Sequence, residues 1–268
     1  MSTILEVKNL AKIYEAGFVR KRRIVAVDNV SFDVKEGEVI SLVGESGSGK
    51  TTTAKMILRL LPPTSGVIKF NGKDIWRAIR SKEELKMYWR NVHAVFQDPY
   101  ASYNPVYTID RVLNQALELI GIDPSSNEGR KLIREALSYV GLVPEDVLGK
   151  YPHQLSGGQR QRIMIARCWL LKPKLIIADE PVSMIDASMR GAIIKLFIDL
   201  REDYRTSTIF ITHDMGLAYY VSDRIFVMYK GKIVDMGPPD ELLKNPKHEY
   251  TKRLLESVPT LYRKWTWE

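Results

Sequence analysis

The chain has 268 residues, 45% of them hydrophobic and 27% charged, with a formal net charge of +8. That balance is ordinary for a globular protein with a full core, and the positive charge permits acidic partners such as nucleotide, anionic lipid or nucleic acid without choosing among them. A single cysteine, Cys168, excludes an intrachain disulfide framework, and no apolar run reaches the length of about 18 residues that a membrane span needs.

The opening "MSTILEVKNL" lacks a basic region followed by a long apolar stretch, so it does not read as a signal peptide, and a cytosolic protein is expected. "ILEVKNL" at 4–10 alternates as a strand does, "FVRKRR" at 18–23 is a basic loop, and "IVAVDNVSFDV" resumes strand character. "EVISLVG" at 38–44 suits a buried strand; a glycine-rich loop and a helix over about 50–60 come next, ended by "LPPTSG". "VIKFNGKDI" reads as a strand and turn, and "VHAVFQ" at 92–97 as a buried strand. From about 99 to 171 the pattern is mostly helical. Strands return at 174–179, 207–213 and 224–237, with the helix "SMRGAIIKLFIDLRE" among them. The expected fold is therefore an α/β core interrupted by a helical insertion at about 98–171.

"GESGSGKT" fits G-x-x-x-x-G-K-[ST] over 44–51, between a strand and a helix. Its glycines let successive N–H groups turn toward phosphate oxygens, and the helix N-terminus adds positive partial charge. Gly44, Glu45, Ser46, Gly47, Ser48 and Gly49 form this loop; Lys50 reaches the β- and γ-phosphates, Thr51 offers a hydroxyl to Mg²⁺, and Thr52 completes the helix start. "LIIADE" at 175–180 is a buried strand ending in acids. Asp179 orients the metal and Glu180 is the candidate general base for an attacking water. Gln97 and His213 also come directly after buried strands. Four strand ends bearing groups for phosphate, metal or water are what one shared site requires.

These motifs together resemble the ATP-binding subunit of ABC transporters. Gly44–Thr51 is similar to the Walker A loop, Leu175–Asp179 with Glu180 to Walker B and the catalytic glutamate, and Gln97 to the Q-loop glutamine that also reaches the metal. His213 is similar to the switch histidine, Ser183–Asp186 ("SMID") to the D-loop with Asp186, and Tyr14 to the aromatic that stacks on adenine. "LSGGQ" at 155–159 resembles the family signature, whose Ser156, Gly157, Gly158 and Gln159 meet ATP held by the opposite subunit. The resemblance implies a P-loop NTPase core of RecA-like type with an N-terminal antiparallel β subdomain and an inserted helical subdomain over 1–240, then a C-terminal helical extension over 241–268.

"FQDPYASYNPVYTI" and "NPKHEYTKRLLESVP" at 245–259 resemble the peptide-import branch, with His-Glu-Tyr-Thr where that branch has His-Pro-Tyr-Thr. The branch also serves nickel and oligosaccharides, and some of its members carry an iron–sulfur cluster on a cysteine-rich tail, for which one cysteine is too few. The resemblance implies ATP and Mg²⁺ as ligands and a second, similar but different ATPase chain as partner. It further implies two membrane permeases docked at a surface including 98–107, a solute-binding protein acting indirectly, and a peripheral place on the cytoplasmic face of the membrane. An exporter ATPase is the nearer alternative. A soluble ABC protein acting on nucleic acid is the further one, and this chain lacks the paired ATPase domains, coiled-coil insertions or zinc motifs usual there; nucleic acid is not an expected partner.

Overall fold

The computed structural model describes residues 2–16, 22–97 and 103–256. In chain order its elements begin with β1 (Thr3–Ala16), β2 (Arg22–Lys35), β3 (Val39–Val43), α1 (Lys50–Ile57), β4 (Ser65–Phe70) and β5 (Lys73–Asp74). Next come α2 (Ile75–Ala78), α3 (Lys82–Asn91), β6 (Val92–Val95), α4 (Asp110–Leu119), α5 (Asn127–Tyr139) and α6 (Pro144–Val147). A 3₁₀ turn over Pro152–Gln154 leads into α7 (Gly157–Leu171), β7 (Leu175–Asp179), α8 (Ala187–Tyr204) and β8 (Ser207–Thr212). The chain then runs through α9 (Met215–Val221), β9 (Arg224–Tyr229), β10 (Lys232–Gly237), α10 (Pro239–Lys244) and α11 (Glu249–Glu256).

Two sheets organise these elements. The first is antiparallel, in the order β2-β1-β4-β5; the second runs β10-β9-β3-β8-β7-β6. From β9 to β6 every neighbouring pair in the second sheet is parallel, and only β10 is antiparallel. Parallel strands lie under cover on both faces, so they read as unbroken apolar runs rather than alternating ones. Along β7, Ile176 and Ala178 pack with the helical segment on one face, while Leu175 and Ile177 pack with β1, β2 and α1 on the other. On β8, Phe210 takes the first face and Ile209 and Ile211 the second. Between β6 and β7 the chain is helical: Leu113, Ala116 and Leu117 of α4, with Ile133, Ala136 and Leu137 of α5, pack on Ile163, Met164 and Ala166 of α7.

The structure departs from the sequence expectation in several places. The first strand extends from Thr3 to Ala16. Its pairing with β2 shifts register between Val7 and Leu10 and again around Lys12, and these irregularities break the alternation that marks a strand in sequence. The first helix stops at Ile57 rather than near 60, because Arg59 turns into the left-handed region (φ 58°) ahead of the Pro62–Pro63 pair. Helix α3 is an addition; Ser81 and Glu84 form a capping box at its start, so the "SKEE" string carried a start signal. Tyr103 is buried and its Oη donates to the Arg160 carbonyl at 2.8 Å, so it belongs to the core rather than to an outer docking surface. Residues 98–102 of that surface, most of the basic loop at 18–23 and the tail from 257 lie outside the described residues.

One side chain ties the sheets together. Arg224, at the start of β9, donates Nε to Glu38 Oε1 (2.6 Å) and Nη2 to Glu38 Oε2 (2.9 Å). It also reaches β2 through the Asp33 carboxylate (3.2 Å) and carbonyl (2.9 Å). Glu38 is nearly enclosed, so removing the guanidinium leaves a buried carboxylate without its cation. Arg224→Met is expected to lower the unfolding free energy by about 2–3 kcal/mol in urea titration, less than for a fully buried pair because Asp33 stays partly in water. Arg224→Lys should recover less than half of that loss, since an ammonium cannot reproduce the fork.

Candidate nucleotide site

Because β3, β6, β7 and β8 are parallel neighbours in one sheet, their C-terminal ends open on the same edge. A cleft of about 640 Å³ lies there. Glu45, Ser46, Gly47, Gly49, Lys50, Thr51 and Thr52 line it from the loop after β3; Asp179 and Glu180 line it from β7, His213 from β8 and Gln97 from β6. Tyr14 joins them from within β1, not after it, together with Ile24, Val25 and Ala26 of β2. The β2 residues were not anticipated, and ordinary strand residues carry no signal for such a role.

The loop is shaped by close backbone approaches. A Cβ on Gly44 would lie 2.2 Å from the Met228 carbonyl oxygen. Gly49 holds φ 106°, and a Cβ there would meet the Ala26 carbonyl oxygen at 2.5 Å. Gly49 is also the N-cap of α1 and supplies no side-chain cap. The N–H groups of Lys50, Thr51 and Thr52 therefore start the helix without intrahelical acceptors, which is an anion site by construction. Thr53 already bonds back to the Gly49 carbonyl, at 2.9 Å through N–H and 3.0 Å through Oγ1. Lys50 is buried, and its Nζ donates to the Gly44 carbonyl, to the Glu45 carbonyl (2.8 Å) and to Ser48 Oγ (3.2 Å). Gly44 and Ser48 thus shape the loop from behind rather than lining the cleft.

Across the cleft, burial pushes the Asp179 carboxyl above its ordinary range; the Thr51 hydroxyl opposes the shift, Glu180 adds to it, and Lys50 and Lys55 oppose it. Burial also lowers the Lys50 ammonium, against the pull of Glu180, Asp179 and Glu45. Asp179 Oδ1 is buried with no hydrogen-bond partner. An orphaned carboxylate oxygen beside a threonine hydroxyl and an amide side chain is a hard oxygen donor set, and it fits Mg²⁺. Glu180 sits at φ 49°, a strained setting for a residue with a Cβ. Its N–H donates to the Ile211 carbonyl (2.9 Å), Ser183 Oγ donates to its carbonyl (3.0 Å), and its Oε1 lies 2.8 Å from His213 Nδ1. The Glu180 carboxylate is mostly enclosed while the His213 ring is 66% exposed, so the acid is held and the histidine is presented.

Ser156, Gly157, Gly158, Gln159 and Asp186 do not line this cleft. Ser156 is the N-cap of α7: its Oγ accepts from the Gln159 N–H (3.2 Å), and Gln159 Oε1 accepts from the Ser156 N–H (2.9 Å). A Cβ on Gly157 would lie 3.4 Å from the Met184 carbonyl oxygen, so the signature loop borders the "SMID" turn of its own chain. Asp186 begins α8 as its N-cap without a side-chain bond. Arg160, directly after the signature, is fully buried, with Nη1 donating to the Pro152 carbonyl at 2.9 Å. Among the described residues no cluster of three or more His, Cys, Asp or Glu forms a further metal site.

Gly49→Ala is expected to weaken binding of a fluorescent ATP analogue by about five- to 150-fold, the equivalent of about 1–3 kcal/mol of backbone strain. The far-ultraviolet circular dichroism spectrum should be unchanged, and wild-type affinity in this variant would contradict the loop geometry.

The ABC transporter family model matches residues 27–183, and the model for the oligopeptide/dipeptide transporter C-terminal region matches residues 234–268. The chain is 42% identical over 257 residues to the oligopeptide transport ATP-binding protein OppF of Bacillus subtilis, covering 96% of this chain and 82% of that protein. It is 44% identical over 260 residues to the glutathione import ATP-binding protein GsiA of Escherichia coli, covering 96% of this chain but 41% of that protein. Among solved structures, the ATP-binding cassette MJ0796, a dimer bound to ADP and Pi, superposes with a TM-score of 0.78 at 30% identity, over 88% of this chain and 98% of that one. CbiO1 of Clostridium perfringens, part of the ABC transporter complex cbiONQ, superposes with a TM-score of 0.74 at 27% identity, over 91% and 92% of the two chains. A P-loop cleft at the strand ends, the family match over most of the core and the relatives along nearly the whole length agree: the chain belongs to the ABC transporter family, as an ATPase subunit of its oligopeptide/dipeptide branch.

Proposed function

We propose that this ATPase powers the import of oligopeptides or a chemically similar solute, working as one half of an ATP-sandwich dimer. The observation that carries the reading is the meeting of Lys50, Thr51, Gln97, Asp179, Glu180 and His213 in one cleft, while the Ser156 loop lies outside it. Lys50 and the uncapped N–H groups of α1 bind the phosphates, and Tyr14 lies where an adenine can stack. Thr51, Asp179 and Gln97 are the residues that would hold Mg²⁺, which when bound offsets charge on the transferring phosphoryl group. Glu180 takes a proton from the attacking water, with its carboxylate oriented by His213.

Ser156, Gly157, Gly158 and Gln159, at the N-terminus of α7, then serve ATP held by a second, similar ATPase chain, and Asp186 lies at the same seam. Closing and reopening of this pair drives two permease subunits fed by a solute-binding protein. Peptide as cargo is supported by the C-terminal match at 234–268 and by the peptide import relatives. No helix among the described residues is long and apolar enough to cross a membrane, so a peripheral place on the cytoplasmic face rests on the permeases. Val106 and Tyr107 are exposed apolar groups in the segment after Gln97, and we assign them to the permease contact.

Glu180→Gln tests the chemistry. The variant is expected to lose turnover by about 10²–10⁴-fold while retaining ATP affinity, and to run as a dimer in ATP on size exclusion. Phosphate release at the wild-type rate would remove Glu180 from the role of base.

A further inference from the structure

The C-terminal helix reaches the phosphate loop. The backbone N–H of Glu45, the second residue of the loop, donates to the Tyr250 phenol oxygen at 2.8 Å, across 205 positions of sequence. The carbonyl of that same peptide group, on Gly44, accepts from Lys50 Nζ, and the carbonyl of Glu45 itself accepts from Lys50 Nζ (2.8 Å) and from the Ser48 N–H (3.2 Å). The loop's lysine is therefore aimed by a carbonyl whose residue is pinned, on its N–H side, by the tail.

Tyr250 is built for this task. It is 2% exposed and packs with Val43, the last residue of β3 before the loop. Its ring stacks on Tyr229 with centroids 4.2 Å apart and planes at 25°. Its N–H donates to His248 Nδ1 (3.1 Å), and the Asp235 carboxylate accepts from the Lys247 N–H (2.8 Å) and the His248 N–H (3.1 Å). α11 is thus anchored to β10 at its start, and the phenol projects from that anchor onto the loop. A second tie comes from the β9–β10 turn, where the Gly231 N–H donates to the Ser48 carbonyl at 3.0 Å. Thr251, one residue further along, is equally buried, but its Oγ1 has no partner.

We propose that Tyr250 is a positioning residue for nucleotide binding: its hydroxyl holds the Glu45 peptide in the conformation that grips phosphate, and loop and tail are thereby energetically coupled. The proposal rests on the assignment of 44–52 as the phosphate loop. Coupling of this kind is reciprocal, so filling the loop must tighten α11 by the factor with which α11 tightens the loop.

The test uses the full chain with AMP-PNP and Mg²⁺. Tyr250→Phe keeps the ring stack and removes only the acceptor; it should weaken AMP-PNP binding by about two- to tenfold, the span of one intramolecular hydrogen bond. Thr251→Val alters the same helical turn without touching a bond and should bind as wild type does. In wild type, hydrogen exchange of the amides at 249–256 should slow when AMP-PNP is added, and in Tyr250→Phe that slowing should be lost. Unchanged affinity in Tyr250→Phe, or equal losses in both variants, would overturn the proposal while leaving the phosphate loop intact. Failure of the wild-type chain to bind AMP-PNP would overturn the loop assignment and this inference with it.

Discussion

The parallel pairing of β9, β3, β8, β7 and β6 is the constraint on which the rest of the molecule depends. Each strand is buried on both faces, so polar chemistry can enter only where a strand ends. Parallel strands end on the same edge. The loop after Val43 and the groups at Gln97, Asp179, Glu180 and His213 are therefore neighbours by topology before any side-chain bond is considered.

That edge is built from backbone positions held in place. Gly49 can adopt its left-handed turn only without a Cβ, which would run into the Ala26 carbonyl. Glu180 accepts a similar conformation despite its Cβ, fixed by bonds to Ile211 and Ser183, and its carboxylate meets His213 as a result. Tyr250 extends the same principle outward, since a residue of the tail constrains a peptide of the loop. Site geometry here is carried by the backbone and its outer layer of partners, and the side chains that would touch nucleotide stand on that frame.

Much of this was legible in sequence. The strand–loop–helix around "GESGSGKT" and the strand ending in "ADE" are local patterns, and local patterns survive in a linear reading. The α/β class and the helical stretch after β6 were legible for the same reason. Elements whose signal is not periodic were not. The second half of β1 is broken by register shifts, and α3 buries only Tyr88, its signal being the Ser81–Glu84 capping box rather than a long apolar run. Tyr103 misled: a tyrosine in a proline-rich loop reads as surface, yet it is buried and locked to the carbonyl of Arg160, itself fully buried against Pro152.

The sequence by itself determined which chemical groups this protein owns and the small structures that present them. Glycine spacing, helix caps and strand ends are decided within a few residues by backbone sterics and hydrogen bonding. Only the tertiary structure decided which groups meet. The order β10-β9-β3-β8-β7-β6 gathers Gln97, Asp179, Glu180 and His213 around Lys50, leaves the Ser156 loop bordering its own "SMID" turn outside that cleft, and brings Tyr250 to Glu45. Strand order and the docking of a tail arise from burial summed over the whole chain, and no short window of sequence contains them.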